Sequence, residues 1–181
     1  SAVSAEQPNA TLIAWTPGVP RATVPGLSGL GFDRTCSSAA WWDGRAAWFF
    51  DEYASLHAVA PPLSSPEPSF QDRLVHRLSP DADIPVAYRL ALSIGAATGA
   101  GLFVPMGFEY ASARPFDAIS GTPDDMEAAR AEAPVDLSAD IAAAIRTVEM
   151  EAEPCLIRPL VSPESPVTTW LRSPAADIRE A

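Results

Sequence analysis

The feature that most constrains the fold is a strand–loop–helix pattern that recurs about four times before residue 154. Amphipathic spacing predicts helices between the strands, including one that begins at Ile84 with Asp83 as its N-cap. Alternation of this kind is typical of a parallel sheet, so the sequence predicts an α/β fold. The predicted strands lie near residues 11–15, 32–36, 62–65 and 101–106.

Four such units amount to half of a (β/α)8 barrel, because a complete barrel needs about 250 residues and this chain has 181. A half barrel leaves two bare sheet edges and an open apolar interior. We therefore expect it to pair with a copy of itself as a homo-oligomer, with the upstream part of its own polypeptide, or with another chain as a complementary half barrel. The first residue is Ser1 rather than Met, and we expect a piece of a longer chain.

The predicted domain organisation has three parts. Residues 1–10 are expected to be a flexible start, and residues 11–153 the half (β/α)8 barrel. Residues 154–181 are expected to be a linker with the first strands of a β-sandwich-like segment, since residues 156–158 and 167–171 are typical of strands.

Composition excludes several classes of function. The net charge is −11, and all 12 basic residues are arginine, which argues against nucleic acid and anionic membrane surfaces as partners. Without lysine the chain has neither a Schiff-base nucleophile nor a P-loop. Cys36 and Cys155 form no zinc or disulfide pattern, and no apolar run reaches the roughly 18 residues that span a membrane. We expect a cytoplasmic protein with no metal and no cofactor.

Large aromatic residues are concentrated in residues 31–50, which form one β-loop-α unit. Asp43 is predicted to cap the helix that follows the Trp41–Trp42 pair. Aromatic rings in a loop after a strand suit a sugar, whose apolar face stacks on indole. The alternative is that the tryptophans pack the loop onto the scaffold.

Titratable residues offer few candidates for catalysis. The acids expected at the carboxyl ends of the strands are Glu67, Asp72, Glu109 and Asp117. Two of them could in principle form a new acid–base pair, but we favour a role in orienting loops. His57 and His76 have no metal-ligating neighbour at suitable spacing, and a structural or solvent-exposed role is expected for both.

The order of several short motifs resembles the α-amylase-superfamily enzymes that transfer maltosyl units from maltose 1-phosphate to α-1,4-glucan. The resemblance runs from about Thr11 to Ser173 and implies that the strands are the fifth to eighth of the catalytic barrel. It rests on Gly-Phe-Asp at 31–33, Ser-Ser at 37–38, Trp-Trp-Asp-Gly-Arg at 41–45, Trp48, Pro-Glu at 66–67, Arg-Leu at 73–74, Pro-Met-Gly-Phe-Glu-Tyr at 105–110, Arg-Pro-Phe-Asp at 114–117, Thr-Pro-Asp-Asp at 122–125 and Asp-Leu-Ser-Ala-Asp-Ile at 136–141.

The chemistry implied by the resemblance does not carry over. Retaining glycosyl transfer needs a nucleophile and an acid, both carboxylates. The family's acid belongs to an Ala-Glu-Thr-x-Gly pattern, in which this chain has Trp15; the transition-state carboxylate belongs to His-Asp, where it has Ser69 and Phe70. The lysine expected before the tryptophan pair is Ala40, and the nucleophile belongs upstream of Ser1. No catalytic residue is therefore predicted.

Two hypotheses follow. The first is a pseudoenzyme, a scaffold or interaction module that binds an α-glucan or maltosaccharide weakly. The second is the remnant half of an active α-glucan glycosyltransferase or glycosidase, whose nucleophile lies in an upstream segment or a partner chain. The predicted substrate-binding residues are Trp41, Trp42, Glu67, Phe108, Glu109 and Tyr110.

Overall fold

A three-stranded parallel sheet lies at the centre of the chain. The structure is a computed structural model, which describes residues 6, 7, 9–69, 72–114, 116, 117, 119–150, 155–159 and 170–174. The strands β1 (Ile13–Ala14), β2 (Arg34–Cys36) and β3 (Pro62–Leu63) are neighbours in chain order. A single parallel bridge between Ser64 and Leu102 extends the sheet by one position. Sequential parallel order is compatible with part of a barrel.

The helices form between and after these strands. They are α1 (Trp48–His57), α2 (Leu74–Arg77), α3 (Ile84–Thr98), α4 (Pro123–Ala131) and α5 (Ser138–Met150). Short 3₁₀ segments span Arg21–Leu27, Ala39–Trp41 and Phe108–Tyr110. Helix α1 packs against β2 and β3, and α3 packs against α5.

The start of α3 is set by its own sequence. Asp83 has extended backbone and accepts a hydrogen bond from the Val86 amide at 3.0 Å, while Pro85 lies in the first turn. This confirms the predicted N-cap, because the carboxylate satisfies an amide that has no partner within the helix.

The predicted cap at Asp43 is wrong. Helix α1 begins five residues later, at Trp48. The Asp43 Oδ1 instead accepts from the amides of Arg45 and Ala46, both at 2.8 Å. Aspartate side chains readily form such local turns, and this one closes the loop before the helix.

The apolar run at 101–106 differs from its prediction. It was predicted to be a strand, but within the described residues it joins the sheet only through the bridge at Leu102. Phe103 is 39% exposed and Met106 is 59% exposed. The physical reason is that these side chains line an open cleft instead of packing in a closed layer.

Two hydrophobic clusters lie on the helical side of the sheet. One joins α1 to the aromatic loop through Trp42, Phe49, Phe50 and Tyr53, and includes Ile157. The other is built from Tyr88, Leu92, Phe108, Ala111 and Leu137. Both clusters hold residues far apart in sequence, so they fix the helices around the sheet.

Glycines bring α3 close to the sheet. A Cβ at Gly95 would lie 3.1 Å from the Leu102 side chain. A Cβ at Gly99 would lie 3.0 Å from the Ser64 amide nitrogen, and one at Gly101 would overlap Leu63.

An antiparallel pair follows the helices. Strand β4 (Cys155–Pro159) pairs with β5 (Trp170–Pro174). Strands were predicted at 156–158 and 167–171. Strand β4 includes the first range, β5 includes residues 170 and 171 of the second, and residues 167–169 lie outside the described residues. The proposed domain boundaries at 10 and 153 stay predictions, and much of residues 1–10 and 154–181 lies outside the described residues.

Candidate functional site at the carboxyl ends of the strands

Side chains from all three parallel strands meet at the edge where the strands end. Trp15 follows β1, Cys36 ends β2, and Ser65 follows β3; together with Trp41 and Phe103 they surround a narrow gap. Parallel α/β proteins bind ligands at this edge, because the loops that follow the strands all converge there.

Trp15 stands beside the gap with an open ring. It is 43% exposed and makes an edge-to-face contact with Phe103, with ring centroids 6.4 Å apart. Ile13, two residues earlier and so on the same face of the strand, is 50% exposed, whereas Ala14 between them is buried. One face of β1 is therefore apolar and uncovered by the described residues.

Buried hydroxyl groups hold the strand ends together. Ser37 Oγ and Ser64 Oγ are 2.8 Å apart, and Thr98 donates to the same Ser64 oxygen at 3.3 Å. Thr16 donates to the Cys36 carbonyl, and its hydroxyl accepts from the Cys36 amide at 3.1 Å. These hydroxyls satisfy buried polar groups that would otherwise destabilise the edge.

A buried ion pair fixes the loop after β3. Glu67 Oε1 lies 2.6 Å from an Nη atom of Arg73, and the two side chains are 0% and 5% exposed. The contact is a close charge pair rather than a well-aligned hydrogen bond. Glu67 Oε2 accepts from the Leu74 amide at 2.9 Å, and Arg73 donates to the Met106 carbonyl at 2.9 Å. The pair thus joins this loop to the run that contains Phe103.

Burial dominates the electrostatics around this pair. It raises the pKa of the Glu67 carboxyl, against the opposing effects of the Leu74 amide and the Arg73 guanidinium, while nearby Glu109 raises it further. Burial and the Glu67 charge raise the pKa of Tyr88 to about 12. The Tyr88 hydroxyl accepts from the Val75 amide at 3.2 Å.

A larger cleft adjoins the strand ends. Its volume is about 430 Å³, which is in the range of small-molecule sites. Apolar side chains form most of its wall, and Ser69, Arg73 and Asp117 contribute polar atoms. The cleft lies between the run after Leu102 and the N-terminal part of α4.

The fold separates the aromatic residues that were predicted to bind a sugar. Trp42 is 9% exposed, stacks on Phe49 with centroids 4.4 Å apart, and donates to the Ala46 carbonyl. Phe108 is 0% exposed and packs on Tyr88. Their burial does not support a sugar-stacking role for Trp42 or Phe108, since neither ring keeps an accessible face. Trp42 instead packs against Phe49, which fits the alternative that the tryptophans hold the loop on the scaffold.

The remaining predicted residues lie in three places. Trp41 is half-buried and lines the gap at the strand ends. Glu109 and Tyr110 are half-buried in the 3₁₀ segment Phe108–Tyr110, where the Glu109 carbonyl accepts from the Leu137 amide. Glu67 is engaged in the ion pair, and Phe70 lies outside the described residues.

The other predicted titratable residues lie outside the gap, although Asp117 lines the adjoining cleft. Asp72 and Asp117 are both exposed. Two backbone amides in the loop that contains Asp117 lower the pKa of the Asp117 carboxyl. His57 is the last residue of α1, and burial lowers the pKa of its imidazole. The His76 imidazole forms a hydrogen bond with the Ala113 carbonyl. Across the part of the chain that the structure describes, no group of three or more His, Cys, Asp or Glu side chains is arranged to hold a metal ion.

Sequence reasoning missed the wall of the cleft. Met106 and Phe116 were noted only as parts of motifs, and Met126 was not singled out. The residues come from segments that meet only in three dimensions, so no local pattern marks them. Among the described helices, none is both long and apolar enough to cross a bilayer.

The arrangement is that of an α/β chain with a parallel sheet, whose strand ends and adjoining loops form a ligand-sized cleft. The chain is similar to part of the alpha-1,4-glucan:maltose-1-phosphate maltosyltransferase of Burkholderia pseudomallei (strain K96243), with 38% identity over 168 residues. The aligned region is 89% of this chain but 15% of that enzyme, so the chain spans a small part of its relative. No protein-family model matches the chain.

Proposed function

We propose that this chain is a non-catalytic domain related to the α-amylase-superfamily maltosyltransferases, which acts as a scaffold or interaction module and binds α-glucan weakly. The observation that carries the proposal is the chemistry at the strand ends. Trp15 occupies the end of β1, where the resemblance implies the acid. Indole can neither protonate a glycosidic oxygen nor carry negative charge.

The carboxylate nearest to this position supports the same view. Among the described residues around the gap, Glu67 is the one acid. It is fully buried, and both of its oxygens are engaged, one by Arg73 and one by the Leu74 amide. Retaining transfer uses two carboxyl groups about 5 Å apart that both reach the sugar. A buried, ion-paired Glu67 suits a loop-positioning role instead.

Sugar binding is proposed for the aromatic rings that remain accessible. Trp15 and Trp41 line the gap, and Trp15 is substantially exposed. Indole faces stack on the apolar face of a pyranose. The hydroxyls of Ser37, Ser64 and Ser65 around the gap already bond to protein groups, which is why we propose weak binding.

Tryptophan fluorescence tests this proposal. Titration with maltose, maltoheptaose and glycogen should give saturable changes with millimolar dissociation constants, and Trp15→Ala should remove most of the change. Trp48→Ala, at a ring that is 42% exposed but outside the gap, is the control. A flat response to all three ligands would remove glucan binding from the proposal.

The alternative function is the remnant half of an active glycosyltransferase. The small share of the relative that this chain covers favours it, because the nucleophile then belongs to an upstream segment or a partner chain. A Gly-x-Arg-x-Asp motif at the end of a strand encoded upstream of Ser1 would support this alternative.

Activity measurements separate the two functions. Transfer from maltose 1-phosphate to glucan should be undetectable for the chain alone. It should stay so in the double variant Trp15→Glu, Phe70→Asp, because neither change supplies the nucleophile. Maltosyl transfer by the unmodified chain would contradict the non-catalytic proposal.

We also propose that a second half barrel, either another copy or a different chain, covers the uncovered face of the sheet. Ile13, Trp15 and Phe103 are 50%, 43% and 39% exposed, which is unusual for large apolar residues that share a sheet face. We further propose that the chain is located in the cytoplasm.

A further inference from the structure

The 430 Å³ cleft contains apolar surface that the proposed glucan binding does not use. Its wall includes two aromatic rings, Phe103 and Phe116, and two methionines, Met106 and Met126. Methionine side chains adapt their shape to an apolar ligand and make favourable contacts with aromatic rings. A volume in this range accommodates a compound of about two fused rings.

The polar groups of the cleft are mostly committed to the protein. Asp117 Oδ1 accepts from the Ile119 and Ser120 amides at 2.8 and 2.7 Å. The Thr122 hydroxyl donates to Asp125 at 2.8 Å. A sugar carries a hydroxyl group on most of its carbons, and burying those groups without partners is costly. The cleft is therefore poorly suited to a carbohydrate.

Three buried polar atoms beside the cleft make no hydrogen bond within the described part of the chain: Arg73 Nε, Arg73 Nη2 and Ser69 Oγ. Arg73 Nη2 forms the ion pair with Glu67, whereas Arg73 Nε lies outside that pair. The Arg73 side chain is 5% exposed, and its guanidinium carbon lies 6.0 Å from the centre of the Phe116 ring. A buried donor of this kind costs free energy unless a ligand oxygen accepts from it.

The charge of the cleft favours a neutral ligand. Glu67 already balances the Arg73 guanidinium at 2.6 Å, so an anion finds no free positive charge. The Asp117 carboxylate at the rim repels an anion further. A cation would lose its hydration among the methionine and phenylalanine side chains.

We propose that this cleft binds a neutral, largely apolar ring compound with one hydrogen-bond acceptor, whose rings pack between Met126 and Phe103 and whose oxygen accepts from Arg73 Nε. The cleft adjoins the gap and shares Phe103 and Ser69 with it, but the proposal does not depend on glucan binding.

A neutral fluorescent ketone, 6-propionyl-2-(dimethylamino)naphthalene, is a suitable probe because its emission shifts to the blue in apolar surroundings. The full chain should bind it saturably with one-to-one stoichiometry. Met126→Gln should weaken binding about tenfold, because an amide replaces apolar contact area. Ile119→Gln makes a comparable change at a residue that is 97% exposed, and should leave the affinity unchanged.

The hydrogen bond between the ligand oxygen and Arg73 is tested by changing the ligand rather than the protein. The analogue with a propyl group in place of the propionyl group keeps the rings but lacks the acceptor. It should bind about tenfold more weakly, because the buried Arg73 donor then stays unsatisfied. Competition of the analogue against the ketone measures this difference directly. Equal affinities would overturn the assignment of Arg73.

Other outcomes overturn the site itself. The site is contradicted if the probe shows no saturable binding. It is also contradicted if Met126→Gln and Ile119→Gln change the probe affinity equally. Loss of binding in Ile13→Gln but not in Met126→Gln would place the probe on the uncovered sheet face. Met106→Gln, on the opposite wall, gives a second test if circular dichroism shows that Met126→Gln fails to fold. Displacement by maltoheptaose would show that the cleft is the glucan site.

Discussion

The ion pair between Glu67 and Arg73 places two charges where the chain otherwise excludes water. Each partner also holds a backbone group, the Leu74 amide and the Met106 carbonyl. Removing one partner leaves the other charge buried and uncompensated, which costs far more than the pair contributes when intact. The contact therefore specifies where the loop lies more than it adds net stability.

We expect Arg73→Met to lower the free energy of unfolding by about 3–5 kcal/mol, because Glu67 stays buried without its partner. Urea denaturation followed by circular dichroism measures this loss. The control is Arg89→Met, which breaks an exposed pair with Asp140 at 3.3 Å. The control should cost less than about 1 kcal/mol, since water screens the exposed pair. Equal losses in both variants would contradict the importance of burial.

The raised pKa of Tyr88 predicts a loss of stability in alkaline solution. The unfolded chain ionises tyrosine near 10.0, whereas folded Tyr88 holds its proton to about 12. The stabilising effect is complete below pH 10 and is lost as the pH rises from 10 to 12, because only the unfolded state then releases the proton. Lysine does not contribute in this window, since all 12 basic residues are arginine.

Tyr88→Phe should make the unfolding free energy fall less steeply across this pH window than it does in the unmodified chain. Urea denaturation at a series of alkaline pH values provides the slopes. The comparison uses slopes because Tyr88→Phe also removes the hydrogen bond from Val75 at every pH. Identical slopes for Tyr88→Phe and the unmodified chain would contradict the raised pKa of Tyr88.

Helix α3 illustrates how elements of this chain are positioned. Asp83 determines where the helix begins, which is a local effect. Where the helix lies is decided by its glycines, since any side chain at Gly99 would meet the backbone of the neighbouring strand region. The helix and the sheet are thus held at a separation that tolerates no Cβ at that point.

We expect Gly99→Ala to destabilise the chain by about 1–3 kcal/mol through overpacking. The added carbon would overlap the Gly101 carbonyl oxygen and lie 3.0 Å from the Ser64 amide nitrogen. The matched control is Gly26→Ala, where the new carbon meets nothing within 4 Å. Thermal unfolding of both variants tests the difference, and a neutral Gly99→Ala would show that the helix shifts freely.

The molecule as a whole has an unusual distribution of apolar surface. One face of the parallel sheet packs on α1, while Ile13, Trp15 and Phe103 on the other face are substantially exposed. Association through this face would remove apolar area from water, and that gain must exceed the repulsion between chains of charge −11.

We expect the chain to associate with itself when no complementary half barrel is present. Size-exclusion chromatography with light scattering should give a mass above that of the monomer, with a larger monomer share at low salt. Ile13→Gln combined with Phe103→Gln should return the mass to the monomer. Val86→Gln with Leu90→Gln changes two exposed apolar residues on α3 and should not. A monomer at every concentration would contradict self-association.

The similarity to a bacterial maltosyltransferase agrees with the family suggested by the motifs, and the replacement of catalytic residues stays a prediction. The positions of α1 and α3, and of the first three strands, were also accessible from sequence, because caps, prolines and helical spacing act over a few residues. The half barrel and the β-domain after it stay proposals, since the sheet described here has three strands and one further bridge.

The amino-acid sequence by itself determined about where α1, α3 and the first three strands lie, since those choices depend on neighbours within one or two turns. The tertiary structure alone decided which aromatic rings are buried and which acids are paired. Trp42 and Trp15 look equally accessible in the sequence, yet one stacks on Phe49 and the other stays open. Arg73 reaches the Met106 carbonyl across 33 positions of the chain. Burial depends on such distant contacts, and a local pattern holds no information about them.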